Sequence, residues 1–125
     1  MKTRLVLFFS LIAFFSVKAQ NDSLPYVLVL GVAQDGGYPH IGCKKKCCEM
    51  AWQAGSLKIN VVSLALVDPV EKKWWLFEAT PDITGQLHLF ASLTKNTFDY
   101  LPAGIFITHA HIGHYTGLMQ LGREA

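Results

Sequence analysis

Three of the chain's five histidines fall within six residues, as His109-Ala-His111-Ile-Gly-His114. Neutral imidazole is a common ligand for zinc and related ions, so a cluster of this density is first of all a candidate metal site. The run before it, Gly104-Ile-Phe-Ile-Thr108, is short, continuous and rich in β-branched and aromatic residues, which predicts a buried strand. Gly117-Leu-Met-Gln-Leu121 predicts the first turns of a helix, which puts the histidines at a strand-to-helix corner. In extended backbone His109 and His111 point the same way, with Cα atoms roughly 6.5 to 7 Å apart, a gap two imidazoles close onto one ion. His114 falls where the helix would start, and the positive end of its dipole favours the neutral, metal-binding form of the ring. The competing reading makes these polar loop residues, with one ring packed in a core.

A second cluster, His40-Ile-Gly-Cys43-Lys-Lys-Lys-Cys47-Cys48, contains all three cysteines of the chain. Cys43, Cys47 and Cys48, with His40 as a possible fourth donor, are soft ligands for a structural zinc, and the three lysines would lower the thiol pKa values. A disulfide from Cys43 to Cys47 or Cys48 is the other reading, and it leaves one thiol over. Adjacent Cys47 and Cys48 are awkward as joint ligands. Both readings stand at this level.

The elements that must position these clusters follow from local pattern. Tyr26-Val-Leu-Val-Leu30 predicts a buried strand, and Gly31-Val-Ala-Gln-Asp-Gly36-Gly37 a loop at the rim of a site, since dense glycine lets backbone turn tightly and approach a ligand. No Lys-Ser or Lys-Thr follows these glycines, and their spacing is wrong for a dinucleotide fingerprint. Glu49 to Ala54 predicts a helical turn ended by Gly55. Val61 to Val67 and Trp74 to Phe77 predict a hairpin turning at Asp68-Pro-Val-Glu-Lys-Lys73. Glu78-Ala-Thr80-Pro-Asp82 marks the exit from the sheet, where Thr80 or Asp82 would cap a helix from Ile83 to Leu93. Asp82 has reaching the metal site as its alternative role; His88, mid-helix, reads as a surface or packing residue. The sum is a β-rich α/β layout.

A length of 125 residues and 51% hydrophobic content suit one domain with a real core. Residues 1–19 read as a secretory signal peptide: Lys2 and Arg4, the apolar run Leu5 to Val17, then small residues around Ala19. That run is short for a membrane anchor, which needs roughly twenty apolar residues. A domain over residues 20–125, secreted or periplasmic and free of the membrane, is therefore expected. It would carry eight Lys and Arg against nine Asp and Glu, a formal net charge of −1, with no arginine cluster. That balance gives no electrostatic case for nucleic acid as a partner, and a small-molecule substrate is expected instead.

The corner motif resembles the His-x-His-x-Asp-His signature of the metallo-β-lactamase superfamily. Leu30-Gly-Val-Ala-Gln-Asp-Gly-Gly-Tyr-Pro39, the Cys43 to Cys48 cluster, Phe77-Glu-Ala-Thr-Pro-Asp-Ile83, and His114-Tyr-Thr-Gly-Leu118 with Leu121-Gly-Arg-Glu124 together resemble its pyrroloquinoline quinone (PQQ) biosynthesis protein B branch. The resemblance covers nearly all of the chain beyond the leader. It implies an α/β fold, the N-terminal half of an αββα sandwich with metals at the sheet edge. It also implies His109 and His111 as ligands of a first metal, His114 as a ligand of a second, and Cys43 with Cys48 as structural zinc ligands, Cys47 being out of register.

Two departures qualify what the resemblance implies. Gly113 stands where the superfamily has the aspartate that binds the second metal, so that position is expected to be weak, and Gly113→Asp to strengthen it unless Gly113 has positive φ. The protein B branch usually departs from the His-x-His pair, which this chain keeps. The superfamily's further histidines and bridging carboxylate come from a second half, so the chain is expected to be part of a longer protein, with a sheet edge and one sheet face left uncovered. The implied function is a metal-dependent hydrolase using histidine-bound zinc to activate water. An iron-dependent oxidative or cofactor-biosynthesis role and a non-catalytic metal-binding domain are the rivals.

Overall fold

The computed structural model describes residues 24–55 and 59–123. The expected leader, residues 1–19, and the start of the domain at Gln20 lie outside the described residues, as does the end of the chain at residues 124–125. No helix among the described residues is long and apolar enough to cross a membrane.

The elements run β1 (Tyr26–Gly31), α1 (Lys46–Ala54), β2 (Ser63–Asp68), β3 (Lys73–Phe77), α2 (Ile83–Leu93), β4 (Gly104–Phe106) and α3 (Ile112–Tyr115), followed by a 3-10 turn, Thr116–Gln120. The strands form one sheet in the order β1-β2-β3-β4. β1 and β2 are antiparallel, as are β2 and β3, while β4 lies parallel to β3. The β2–β3 hairpin closes as its turn chemistry predicts: Asp68 Oδ1 accepts the N–H groups of Val70 (2.9 Å) and Glu71 (3.1 Å). A parallel neighbour needs a crossover, and α2 supplies it between β3 and β4.

Nearly every position in these strands is apolar, so both faces of the sheet are. One face packs on α2: Leu30, Ala65, Val67, Trp74 and Leu76 join Ala79, Ile83, Leu87 and Phe90 in one core. At its centre the Trp74 ring stacks on Phe90 at 3.8 Å, and the indole N–H donates to the Asp99 carbonyl at 2.8 Å. Such a ring pair adds roughly 0.5–1.5 kcal/mol beyond the burial itself. His88 points to solvent, as its place on α2 suggested.

β1, β2 and β3 shift by one or two residues from the sequence reading, and three larger differences have tertiary reasons. β4 has only three residues and is an edge of the sheet among the described residues, with Phe106 52% and Ile107 37% exposed. An apolar run reports the capacity for burial, not the presence of a covering partner. The last helix starts at Ile112 rather than Gly117, and the chain from Thr116 tightens into 3-10 geometry, where the Gly117 N–H turns away to donate to the Ala79 carbonyl at 2.8 Å. α1 starts at Lys46, so Cys47 and Cys48 belong to the helix; Gly55 ends it as expected, with φ +52°.

Candidate metal centre

β3 and β4 run parallel and end together, and the corner is assembled from their two exits. Immediately after Phe77, Glu78 takes φ +72°, a left-handed conformation that costs a side-chain-bearing residue roughly 1–2 kcal/mol. Its N–H donates to the Phe106 carbonyl at 2.9 Å, and its carboxylate Oε1 accepts the Thr108 N–H at 3.1 Å. A buried acid is thereby fixed against the strand exit that leads to the histidines. The Ala79 N–H donates to the His114 carbonyl at 2.8 Å, which clamps α3 onto the same turn.

His114 is buried on α3, and its Nδ1 lies 3.2 Å from the other Glu78 oxygen, Oε2. Close as they are, neither atom has a hydrogen-bond partner. The pair is within ion-pair distance but lacks a hydrogen bond, and a cation between the two atoms would satisfy both. The His109 ring stands 4.1 Å from that of His114, centroid to centroid, and its Nδ1 lies 2.9 Å from Thr108 Oγ1. Ligand atoms of Glu78, His109 and His114 all fall within 4.8 Å of one another. Donors around a tetrahedral zinc sit about 3.4 Å apart, the spacing the Glu78–His114 pair already has, so His109 has the larger adjustment to make. Two imidazoles and one carboxylate suit either zinc or ferrous iron. The residues present fit a divalent cation.

His111 lies outside that group. Its ring is 4.6 Å from His109 but 6.5 Å from His114, and its Nδ1 faces the Asp35 carboxylate at 4.0 Å. Gly113 is buried inside α3, and its φ is not positive, so conformational strain is not what excludes a side chain there. The obstacle is the glycine loop: a Cβ at residue 113 would stand 2.8 Å from the Asp35 carbonyl carbon.

The sequence pattern assigns Glu78 no role, although an acid placed directly after the buried strand Trp74 to Phe77 and before Ala79 is an unusual residue to bury. Asp82 plays neither of the parts expected of it. It occupies the N-cap position of α2 without making a capping bond, and its Oδ2 accepts the Val61 N–H at 3.0 Å, tying the approach to β2 onto α2. Thr80 is wholly buried, donating to Gln86 Oε1 at 2.8 Å and accepting the Asp82 N–H at 3.1 Å.

In the second cluster all three cysteines are free thiols: Cys43 half-buried, Cys47 exposed, Cys48 buried. The neighbouring Cys48 thiol and the Lys45 backbone hold the Cys43 thiol below its ordinary pKa, while the neighbouring Cys43 thiol, with burial, holds Cys48 above it. The lysine charge expected to activate the thiols contributes only a lesser part, and only at Cys43 from Lys45. Cys47 also reaches the pair, but its influence on either thiol is smaller than the one Cys43 and Cys48 exert on each other. Tyr38 donates its hydroxyl to the Cys47 carbonyl at 2.8 Å, fastening the start of α1 to the glycine loop, and His40 is exposed with Nδ1 2.9 Å from the Ile41 carbonyl.

No family model matches the chain. Among curated proteins it is similar to coenzyme PQQ synthesis protein B, for example that of Stutzerimonas stutzeri, at 35% identity over 101 residues, 77% of this chain and 33% of the relative. Two solved structures share its fold: zinc-bound PqqB from Methylobacterium extorquens, with a TM-score of 0.60 at 26% identity over 80% of this chain and 34% of that one, and a diphosphatase of the PhnP family, with a TM-score of 0.56 at 26% identity over 78% and 34%. The chain thus spans about a third of the length of the relatives it matches, rather than half.

Proposed function

We infer that, over the residues it spans, the chain is a PqqB-like member of the metallo-β-lactamase superfamily, and from that premise we propose that the intact protein is a metal-dependent hydrolase of a small-molecule substrate. The observation that carries this reading is the meeting of Glu78, His109 and His114 at the strand exits, with Glu78 Oε2 and His114 Nδ1 buried 3.2 Å apart and without a hydrogen bond. Zinc bound there would supply Lewis acidity and bring the pKa of water into the neutral range. The chain's own residues do the positioning. Thr108 is central: its N–H holds Glu78 Oε1, and its hydroxyl engages His109 Nδ1, which leaves Nε2 of that ring as the nitrogen for the ion. His111 belongs to the same corner, at its exposed side. The likeness to a diphosphatase makes diphosphates and phosphodiesters the first substrates to test, with esters beside them.

A second reading, an oxidative step in cofactor biosynthesis with iron, is favoured by the two-histidine, one-carboxylate donor set and by the PQQ synthesis relatives. Metal analysis of the purified intact protein together with turnover of the substrate panel separates the two. Zinc with hydrolysis that Glu78→Gln abolishes supports the hydrolase; iron without hydrolysis supports the oxidative role; no metal outside the cysteine cluster sinks both. The Cys43–Cys48 pair is proposed as the core of a separate structural zinc site. The protein is proposed to be secreted or periplasmic, cleaved after Ala19; mass spectrometry of the mature protein should find Gln20 first, and a retained Met1 would contradict it.

A further inference from the structure

Residue 113 is glycine because another part of the chain fills its side-chain space. A Cβ there would stand 2.6 Å from the Asp35 Cβ as well as against the Asp35 carbonyl group. Backbone does not swing aside as a flexible side-chain tip does, so no side chain fits while the loop keeps its place. The same contact means that the Asp35 side chain starts close to where a residue-113 side chain would start. Its Oδ2 lies 4.0 Å from His111 Nδ1, and the His111 ring is 4.6 Å from that of His109.

The loop is held as if to present this carboxylate. The Gly37 N–H donates to the Gln34 carbonyl at 2.9 Å, the Gly36 N–H to Gln34 Oε1 at 3.2 Å, and the N–H groups of Val32 and Ala33 to the Asn60 carbonyl at 3.0 and 2.9 Å. None of these bonds uses the Asp35 carboxylate, which faces His111. The geometry points to Asp35 and His111 as the protein donors of a second divalent-cation position beside Glu78, His109 and His114, with Asp35 supplying from the glycine loop the carboxylate that residue 113 lacks. The inference rests on the metal reading of the first centre. Among the described residues an ion at this pair finds one anionic oxygen and one imidazole. The two side chains are 73% and 36% exposed, so it binds more weakly than an ion at the buried centre.

The test is titration of the intact protein with Mn(II), followed by electron paramagnetic resonance. Manganese favours carboxylate and imidazole over thiolate, which keeps the cysteine cluster out of the count. The wild type should take up two equivalents with magnetically coupled signals. Asp35→Asn, which keeps size and removes charge, should weaken the looser equivalent at least about tenfold and abolish the coupling. His111→Ala, at an exposed position where folding is not at risk, should do the same, whereas Glu78→Gln should remove the tighter equivalent. A single equivalent in the wild type, lost in Glu78→Gln, overturns the Asp35 site and leaves the first centre standing. Two coupled equivalents in Asp35→Asn also overturn it. No bound manganese in the wild type overturns both.

Discussion

Glu78 and Gly113 are the residues at which the corner departs most from local preference. A glutamate takes a left-handed conformation that glycine would adopt at no steric cost, and a glycine sits inside a short helix where alanine would be favoured by roughly 1 kcal/mol. Each is explained by a neighbour distant in sequence: Thr108 and His114 around the Glu78 carboxylate, the Asp35 backbone against Gly113. Gly113→Asp is therefore expected to lower stability by about 1–3 kcal/mol, the range for forcing atoms into a packed site, and to add no metal. Thermal or urea denaturation beside wild type reads the first effect and elemental analysis the second. An unchanged midpoint with extra metal would restore the simpler expectation that this position lacks only a ligand. The histidines were legible because their spacing is local. Glu78 and Asp35 were not, because what makes them part of the site is the pairing of β3 with β4 and the packing of the glycine loop on α3, neither of which a residue pattern states.

At the scale of elements, α2 runs from Ile83 to Leu93 as its sequence indicates, since Pro81 sets the boundary and one face carries Ile83, Leu87, Phe90 and Ala91 into the core. Gln86 breaks that apolar face for a reason the pattern hides. Its Nε2 donates to the Val61 carbonyl at 2.6 Å and its Oε1 accepts from Thr80, so it joins the approach to β2, the strand exit and the helix in one buried network. Gln86→Leu conserves the volume but orphans both partners, each at about 1–3 kcal/mol, so the urea midpoint should fall clearly. A variant as stable as wild type would mean that water serves those groups equally well. α1 carries a different expectation. With Cys43, Cys47 and Cys48 all free thiols, thiol titration of the intact protein after chelation should count three free cysteines, and a count of one would restore the disulfide reading.

For the molecule as a whole, the sheet is apolar on both faces, as expected of strands buried between two layers, and the described residues cover one face. α2 lies across Leu30, Ala65, Val67, Trp74 and Leu76. The pairing of Val29 with Leu64, Leu64 with Phe77 and Phe77 with Phe106 runs a continuous apolar row across the opposite face. There Val27 is 54%, Val29 56%, Leu64 36% and Phe106 52% exposed, a concentration that solvent-facing sheet surfaces seldom carry. The strands themselves were readable from their residues, but which face α2 takes depends on register: a slip of one residue would exchange the two faces. These 125 residues produced alone should therefore bind a hydrophobic dye such as ANS while keeping the far-ultraviolet circular dichroism and cooperative melting of a folded sheet. Val27→Thr with Val29→Thr, which retain β-branching while adding polarity to the open face, should reduce dye binding and leave the melting midpoint nearly unchanged, because neither side chain contributes to the core under α2. A steep loss of stability in that double variant would show instead that this face is packed in solution.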